Sequence, residues 1–89
     1  MTTPLPHLIW IDCEMTGLDL SNDVLVEIAV LVTDSDLNVI GDGVDLVIKA
    51  SAEQIAGMNE YVTQMHTTSG LITEIPNGTT ASQAEDAIL

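Results

Sequence analysis

Two carboxylates stand one residue apart near the start of the chain, at Asp12 and Glu14, directly after the apolar run at residues 8–11. A run of large apolar residues of this length is typical of a strand that is buried on both faces. Side chains alternate between the faces of a strand, so the two carboxylates share a face, with their α-carbons about 6.6 Å apart. Carboxylates this close repel each other unless a cation lies between them, and hard divalent cations such as Mg²⁺ prefer oxygen ligands. The pair therefore predicts a divalent-metal site on a buried strand.

Taken alone, an Asp-x-Glu pair is weak evidence for a metal site, because most carboxylates in proteins lie on solvated surfaces. The apolar run before the pair strengthens the metal interpretation, since it places the carboxylates at the end of a core element. Gly17 then supplies a flexible turn that ends the strand. Cys13 points to the face opposite the carboxylates, so we expect it in the core and not among metal ligands.

The composition restricts the functions that are open to the chain. Its 89 residues predict one small domain, and fourteen acids against one base, Lys49, give a formal net charge of −13. Such a chain repels nucleic-acid phosphate at long range, so phosphate chemistry would need metal ions, or basic residues from other segments or subunits. The alternative interpretation of this acidity is a soluble, salt-adapted surface.

Cysteine usage and hydropathy indicate the compartment. One cysteine excludes an internal disulfide and suits a reducing environment. No apolar stretch reaches membrane-spanning length, and the N-terminus lacks the basic and apolar pattern of a signal peptide. We therefore expect a cytoplasmic location and no membrane partner.

The first half of the chain carries strand patterns. β-branched residues dominate residues 24–33, which favours a second strand, and residues 39–49 predict a third with a bend at Gly41 and Gly43. The tight connection Asp34-Ser35-Asp36 predicts that these two strands are antiparallel. Residues 1–6, with two prolines, are expected to form a loose arm.

The second half of the chain carries helix patterns. Capping boxes at Ser51 and Thr80 each predict the start of a short helix. Asn59 can cap another helix that runs to about His66, and a further turn is expected to start at Thr68 or Ser69. The sequence therefore predicts three strands followed by short helices.

Three stretches of the chain resemble the oligoribonucleases, which are members of the DEDD family of 3′-to-5′ exonucleases. They are Trp-Ile-Asp-Cys-Glu-Met-Thr-Gly-Leu-Asp at residues 10–19, Val-Glu-Ile-Ala through Val-Thr-Asp at residues 26–34, and Met-His-Thr-Thr-Ser-Gly-Leu at residues 65–71. Their order and spacing agree with the family, and the similarity covers nearly the whole chain. Cys13 and residues 41–44 are most similar to actinobacterial members.

The resemblance implies an α/β, ribonuclease-H-like exonuclease fold, here incomplete: a three-stranded antiparallel meander followed by short helices. It implies a 3′-to-5′ exoribonuclease that degrades short single-stranded RNA to mononucleotides. The implied mechanism uses two divalent ions, Mg²⁺ or Mn²⁺, about 3.5–4 Å apart, one activating a water and the other stabilising the leaving oxygen. The complete enzyme is expected to be a homodimer.

The resemblance also implies roles for individual residues. Asp12 and Glu14 match two of the family's four catalytic, metal-binding carboxylates. Leu18 matches the residue that wedges between the last two bases, and Met15 and Thr16 match substrate contacts beside it. Without the resemblance, Leu18 would be interpreted as cover for the core.

Two further matches lie in the second half of the chain. Tyr61 stands where the family usually has a tryptophan that stacks on a base, and His66 matches a residue near the 5′ phosphate of the substrate. The alternative for His66 is a histidine at a helix end, favoured there by the helix dipole.

Several elements of the family pattern have no counterpart here. The family's second motif supplies another aspartate, and its third supplies a general-base histidine and the last aspartate, all C-terminal to residue 89. We therefore expect residues 1–89 to be the N-terminal part of a single exonuclease domain and to be inactive alone. One alternative is a non-catalytic acidic module that retains the fold. Another is a proofreading-type DNA exonuclease of the same superfamily, which the first and third stretches disfavour.

Overall fold

A computed structural model describes residues 6–89 of the chain, so most of the predicted arm at residues 1–6 lies outside the described part. The elements in order are β1 (Leu8–Met15), β2 (Leu25–Thr33), β3 (Val39–Val47), α1 (Ala52–Ala56), α2 (Glu60–Ser69), α3 (Leu71–Glu74), a 3-10 turn (Ile75–Asn77) and α4 (Ala81–Ile88). The strands form an antiparallel sheet in the order β1-β2-β3. The predicted meander followed by short helices is confirmed.

The register of the sheet separates acidic from aliphatic side chains, because directly opposite residues of an antiparallel pair share a face. Asp12 lies opposite Ala29, Glu14 lies opposite Glu27, and Ala29 lies opposite Asp45. We call this the acidic face; its four acids are Asp12, Glu14, Glu27 and Asp45. The opposite, aliphatic face carries Ile9, Ile11, Cys13, Ile28, Val30, Val32, Val44 and Leu46. Cys13 thus lies on the face away from the carboxylates, as predicted, but it is half-buried and is not part of the buried core.

The connection between β2 and β3 is a tight turn built on Asp34. Its Oδ1 accepts hydrogen bonds of 2.9 Å from the amides of Asp36 and Asn38. Further along, Gly41 and Gly43 have φ angles of 76° and 70°, which favour glycine, and the β2–β3 register shifts beside them. The predicted antiparallel connection and the predicted bend are both confirmed.

The helix starts agree with the capping patterns. Ser51 and Thr80 form complete capping boxes, and the side chain of Asn59 accepts a hydrogen bond from the backbone of α2. The predicted further turn is present as α3, but it starts at Leu71 and not at Thr68 or Ser69. Helix α2 continues to Ser69 and ends at Gly70, whose left-handed φ of 84° is a common helix terminator.

The predicted burial of β1 on both faces is also wrong. Ile9, Trp10 and Ile11 are 67%, 51% and 60% exposed. Within residues 6–89, β1 pairs with β2 alone, and it therefore forms an edge of the sheet. The buried core lies elsewhere, where Val26 packs with residues after the sheet, namely Ala50, Leu71 and Ile75.

Two strand ends differ slightly from the predictions, because β2 begins at Leu25 and β3 ends at Val47. Ile48 leaves the sheet to form a single parallel bridge with Thr79, which ties the start of α4 to the end of β3. Between Pro6 and Leu89, the helices are all too short or too polar to cross a membrane.

The exposed edge of β1 predicts self-association of the 89-residue chain. Its apolar half, residues 8–11, carries no charge, and edge strands without charges readily pair with other strands. We expect sedimentation at modest ionic strength to show oligomers that Ile9→Lys shifts towards monomer. Leu20→Lys is the matched control, because Leu20 is fully exposed in a turn outside the sheet. Both variants lower the net negative charge equally, so a clean monomer for the unsubstituted chain, or equal effects of the two variants, would contradict the prediction.

Candidate functional site

The two predicted metal ligands lie at the C-terminal end of β1 on the acidic face. Asp12 is exposed and Glu14 is half-buried. Glu14 stands directly opposite Glu27 on β2, an arrangement of like charges that destabilises a sheet. A divalent cation beside Glu14 would offset this repulsion, and the carboxylate oxygens available are the donors that Mg²⁺ and Mn²⁺ prefer.

The pKa of Glu27 reports the crowding of negative charge on this face. Partial burial is the largest factor that raises its pKa above the ordinary value. A hydrogen bond with Asp45 and the charges of Asp45, Glu14 and Glu74 raise the pKa further. The acidic face therefore disfavours additional negative charge unless a cation is bound.

The described carboxylates supply only part of a metal shell. Among residues 6–89, no three His, Cys, Asp or Glu side chains are grouped closely enough to hold a metal ion. The donor chemistry of Asp12 and Glu14 fits a hard divalent cation, and the remaining ligands would have to be water, substrate or other carboxylates.

A groove of about 320 Å³ is lined by the end of β1, by the turn that follows it and by residues of α2. Its lining residues are Glu14, Met15, Gly17, Leu18, Asn59, Tyr61, Val62 and Met65. Leu18 and Tyr61 are 87% and 77% exposed, so both present large apolar surfaces to solvent. The structure thus brings four of the predicted site residues together: Glu14, Met15, Leu18 and Tyr61.

Thr16 is placed differently from these four residues. It is only 2% exposed, and its hydroxyl donates to Asp23 Oδ1 at 2.8 Å and accepts from Val24 N at 3.0 Å. Its own amide donates to the Val24 carbonyl at 3.0 Å. These bonds give Thr16 a structural role, and its contact with substrate stays a prediction.

His66 is the most deeply buried of the predicted site residues, at 1% exposure. Its Nε2 lies 2.7 Å from the Met15 carbonyl oxygen. A carbonyl oxygen only accepts, so Nε2 carries the hydrogen and donates it. This bond ties α2 to the end of β1 and so fixes the two walls of the groove relative to each other. A contact between His66 and a phosphate stays a prediction.

The loop after Leu18 is held by Asp19. Its Oδ1 accepts from Ser21 N and its Oδ2 from Asn22 Nδ2, each at 2.9 Å. The bond from Ser21, followed by that from Asn22, lowers the pKa of the Asp19 carboxyl. Asp19 is therefore charged and engaged within its own turn, which agrees with its having no match to a ligand of the family.

Sequence reasoning missed some residues of the site. Met65 lines the groove one helical turn after Tyr61, and the spacing of four residues on α2 could have indicated it. Glu27 and Asp45 reach the acidic face through strand register, which no local pattern reveals.

Residues 9–85 match the family model described as exonuclease, and the chain therefore belongs to the exonuclease family. Domains of this family are ribonuclease-H-like, and the meander with short helices is consistent with an incomplete form of that fold.

The chain is also similar in sequence to several named oligoribonucleases. The chain is 58% identical over 85 residues to an oligoribonuclease of Leifsonia xyli, covering 96% of this chain and 41% of that protein. It is 59% identical over 84 residues to an oligoribonuclease of Corynebacterium diphtheriae, with coverage of 93% and 40%. It is 56% identical over 82 residues to an oligoribonuclease of Cutibacterium acnes, covering 92% of this chain and 41% of that protein. The predicted resemblance to actinobacterial oligoribonucleases is confirmed, and the chain spans about two fifths of the length of these relatives.

The acidic face predicts weak, localised binding of Mn²⁺ by the 89-residue chain. We expect Mn²⁺ to broaden the NMR signals of residues around Asp12 and Glu14 first, because these carboxylates share a strand face. The double variant Asp12→Ala, Glu14→Ala should lose this selective broadening. A matched double variant, Asp36→Ala, Asp42→Ala, removes the same charge from the β2–β3 turn and from the middle of β3 and should retain it. Equal broadening in both double variants would contradict a site at Asp12 and Glu14.

Proposed function

We propose that this chain belongs to a 3′-to-5′ exoribonuclease that degrades short oligoribonucleotides to mononucleotides by metal-dependent hydrolysis. Its relatives carry the name oligoribonuclease, and its exonuclease-family membership gives the reaction class. The observation that carries the proposal is the groove, whose lining combines the Glu14 carboxylate with an exposed leucine and an exposed tyrosine.

The carboxylates beside the groove could bind the phosphodiester of a substrate through divalent ions. Asp12 and Glu14 would hold the divalent ions, Mg²⁺ or Mn²⁺, which in two-metal hydrolases stabilise the attacking and leaving oxygens. The chain's formal charge of −13 makes such cations necessary, because phosphate would otherwise be repelled from the acidic face. The protein's own contribution here is to fix the two carboxylates on one face of β1.

The apolar side chains of the groove could pack against the bases of a substrate. Tyr61 presents a ring on which a base can stack, and such stacking contributes about 1–3 kcal/mol per base. Leu18 supplies an aliphatic contact on the same groove, in agreement with its implied role as a wedge between two bases.

We further propose that the 89-residue chain alone is inactive. Its carboxylates provide an incomplete metal shell, and neither described histidine is placed as a general base. His66 is buried and bonded to Met15, and His7 precedes β1 at the end away from Glu14. These features also favour the alternative that this polypeptide by itself is a non-catalytic acidic module.

The activity test is release of mononucleotide from an end-labelled RNA dinucleotide in the presence of Mn²⁺. We expect no turnover above that of Asp12→Ala protein prepared in parallel, because a positioned general base alone contributes about 10²–10⁴-fold to a rate. Host nucleases would contaminate both preparations equally. Turnover that disappears in Asp12→Ala would show that the chain assembles an active site, for example between two copies.

The proposed substrate class can be tested by binding, without turnover. We expect the RNA dinucleotide ApA with Mg²⁺ to shift the NMR signals of Leu18, Tyr61 and Met65. Tyr61→Ala should weaken this binding, and the matched surface variant Leu37→Ala, which lies in the β2–β3 turn, should not. The corresponding DNA dinucleotide should bind more weakly if the site uses the 2′-hydroxyl. Equal binding of both dinucleotides would favour the DNA exonuclease alternative, and no shift at the groove would contradict the proposal.

A further inference from the structure

The Asp23 carboxylate bonds to both sides of the segment that carries Leu18, in addition to the backbone bonds of Thr16 with Val24 and of Asp19 with Asp23. Its Oδ1 accepts a hydrogen bond of 2.8 Å from Thr16 Oγ1, and its Oδ2 accepts one of 2.9 Å from Asp19 N. Thr16 Oγ1 also accepts from Val24 N, which directly precedes β2. The Asp23 side chain therefore links the residues on both sides of Leu18 to the start of the next strand.

Gly17 provides independent support for this arrangement. A Cβ at this position would collide with the Asp23 carboxylate, 2.8 Å from its Cγ. The glycines with positive φ are Gly41, Gly43 and Gly70, so Gly17 is not required by its backbone angles. A Cβ at residue 17 would therefore fit only if the Asp23 carboxylate moved away from the backbone.

Leu18 has little packing of its own, since it is 87% exposed. An exposed side chain keeps a fixed position only if the backbone that carries it is fixed. On the N-terminal side, the bond between His66 and the Met15 carbonyl holds the strand end. From Thr16 to Asp19, the hydrogen bonds to the Asp23 carboxylate add a side-chain restraint to the backbone bonds at the two ends of the segment.

We propose that Asp23 is a positioning residue for the groove: its carboxylate fixes the backbone of residues 16–19, so that Leu18 is held beside Tyr61 in the orientation that receives a base. The proposal rests on the proposed function for the identity of the ligand, a short oligoribonucleotide. Asp23 acts through hydrogen-bond geometry and contacts neither metal nor substrate.

The two obvious substitutions should behave differently. Asp23→Ala removes both acceptors. In Asp23→Asn, the amide oxygen can still accept from Asp19 N, and the amide nitrogen can donate to Thr16 Oγ1, which has two lone pairs, although the Thr16 hydroxyl hydrogen then loses its present acceptor. Asp23→Asn should therefore preserve the loop, whereas a metal ligand or an electrostatic residue would be disrupted by loss of the charge.

The first readout is the rigidity of the loop in the ¹⁵N-labelled 89-residue chain. We expect backbone order parameters of about 0.85 for residues 17–19 in the unsubstituted chain and in Asp23→Asn, falling below about 0.6 in Asp23→Ala. Gly17→Ala should lower them too, because its Cβ displaces the carboxylate. Asp34→Ala is the matched control, since it removes a turn aspartate from the β2–β3 connection. Unchanged order parameters in Asp23→Ala would overturn the proposal.

The second readout is the affinity for ApA with Mg²⁺. Asp23→Ala should weaken binding about tenfold, the loss expected when one leucine-sized apolar contact is removed. In a Leu18→Ala background, the same substitution should have no further effect, because Asp23 acts through Leu18. The proposal would be overturned if Asp23→Ala lowered the affinity for ApA equally in both backgrounds. It would also be overturned if Asp23→Asn bound ApA as weakly as Asp23→Ala. If the unsubstituted chain does not bind ApA, the proposed function of the groove fails, and the order parameters alone decide the positioning role.

Discussion

The pairing register between β1 and β2 is the constraint on which the rest of this structure depends. Side chains alternate along a strand, so a slip of one residue would move every carboxylate of β1 to the aliphatic face. The observed register places Glu14 opposite Glu27 and Cys13 opposite Ile28. It also brings the end of β1 next to the start of β2, where Thr16 and Val24 exchange hydrogen bonds. The acidic face, the turn that carries Leu18 and the wall of the groove all follow from this pairing.

The register has an energetic cost that is concentrated at the site. Glu14 and Glu27 repel each other across the two strands, and Asp45 adds to the crowding. Such an arrangement weakens a sheet unless bound cations offset the repulsion. The same face carries the exposed Trp10, whose indole N–H donates to Thr33 Oγ1 at 3.1 Å. The acidic face of β1 therefore carries both an aromatic residue, Trp10, and the carboxylates Asp12 and Glu14.

Local chemistry explains which parts of the fold could be predicted from the sequence. The capping boxes at Ser51 and Thr80 depend on contacts over three residues, and the β-branched run of β2 has a clear period, so both were predicted correctly. The burial of β1 could not be predicted from its composition, because burial depends on which other elements pack against the strand. The extension of α2 to Ser69 was missed because Gly70 was not recognised as the residue that ends the helix.

Some residues of the candidate site could be predicted from the sequence, and others were revealed only by the structure. Asp12, Glu14 and Leu18 belong to one continuous stretch, and its resemblance to a known motif identified them. The burial of His66 could not be foreseen, since its partner, the Met15 carbonyl, lies 51 residues away in sequence. Asp23 has the appearance of an ordinary turn residue in the sequence, and only its contacts with Thr16, Gly17 and Asp19 distinguish it.

Our proposal places divalent metal at Asp12 and Glu14, beside the groove in which a nucleotide would bind. The most direct measurement is an anomalous difference map from crystals of the chain grown with Mn²⁺ and ApA. We expect a peak within about 2.5 Å of the carboxylate oxygens of Asp12 and Glu14, since hard cations lie about 2.1 Å from such ligands. In the ordinary electron-density map of the same crystals, a base should lie against Leu18 and Tyr61. A Mn²⁺ peak elsewhere on the acidic surface, with the groove empty, would contradict the claim.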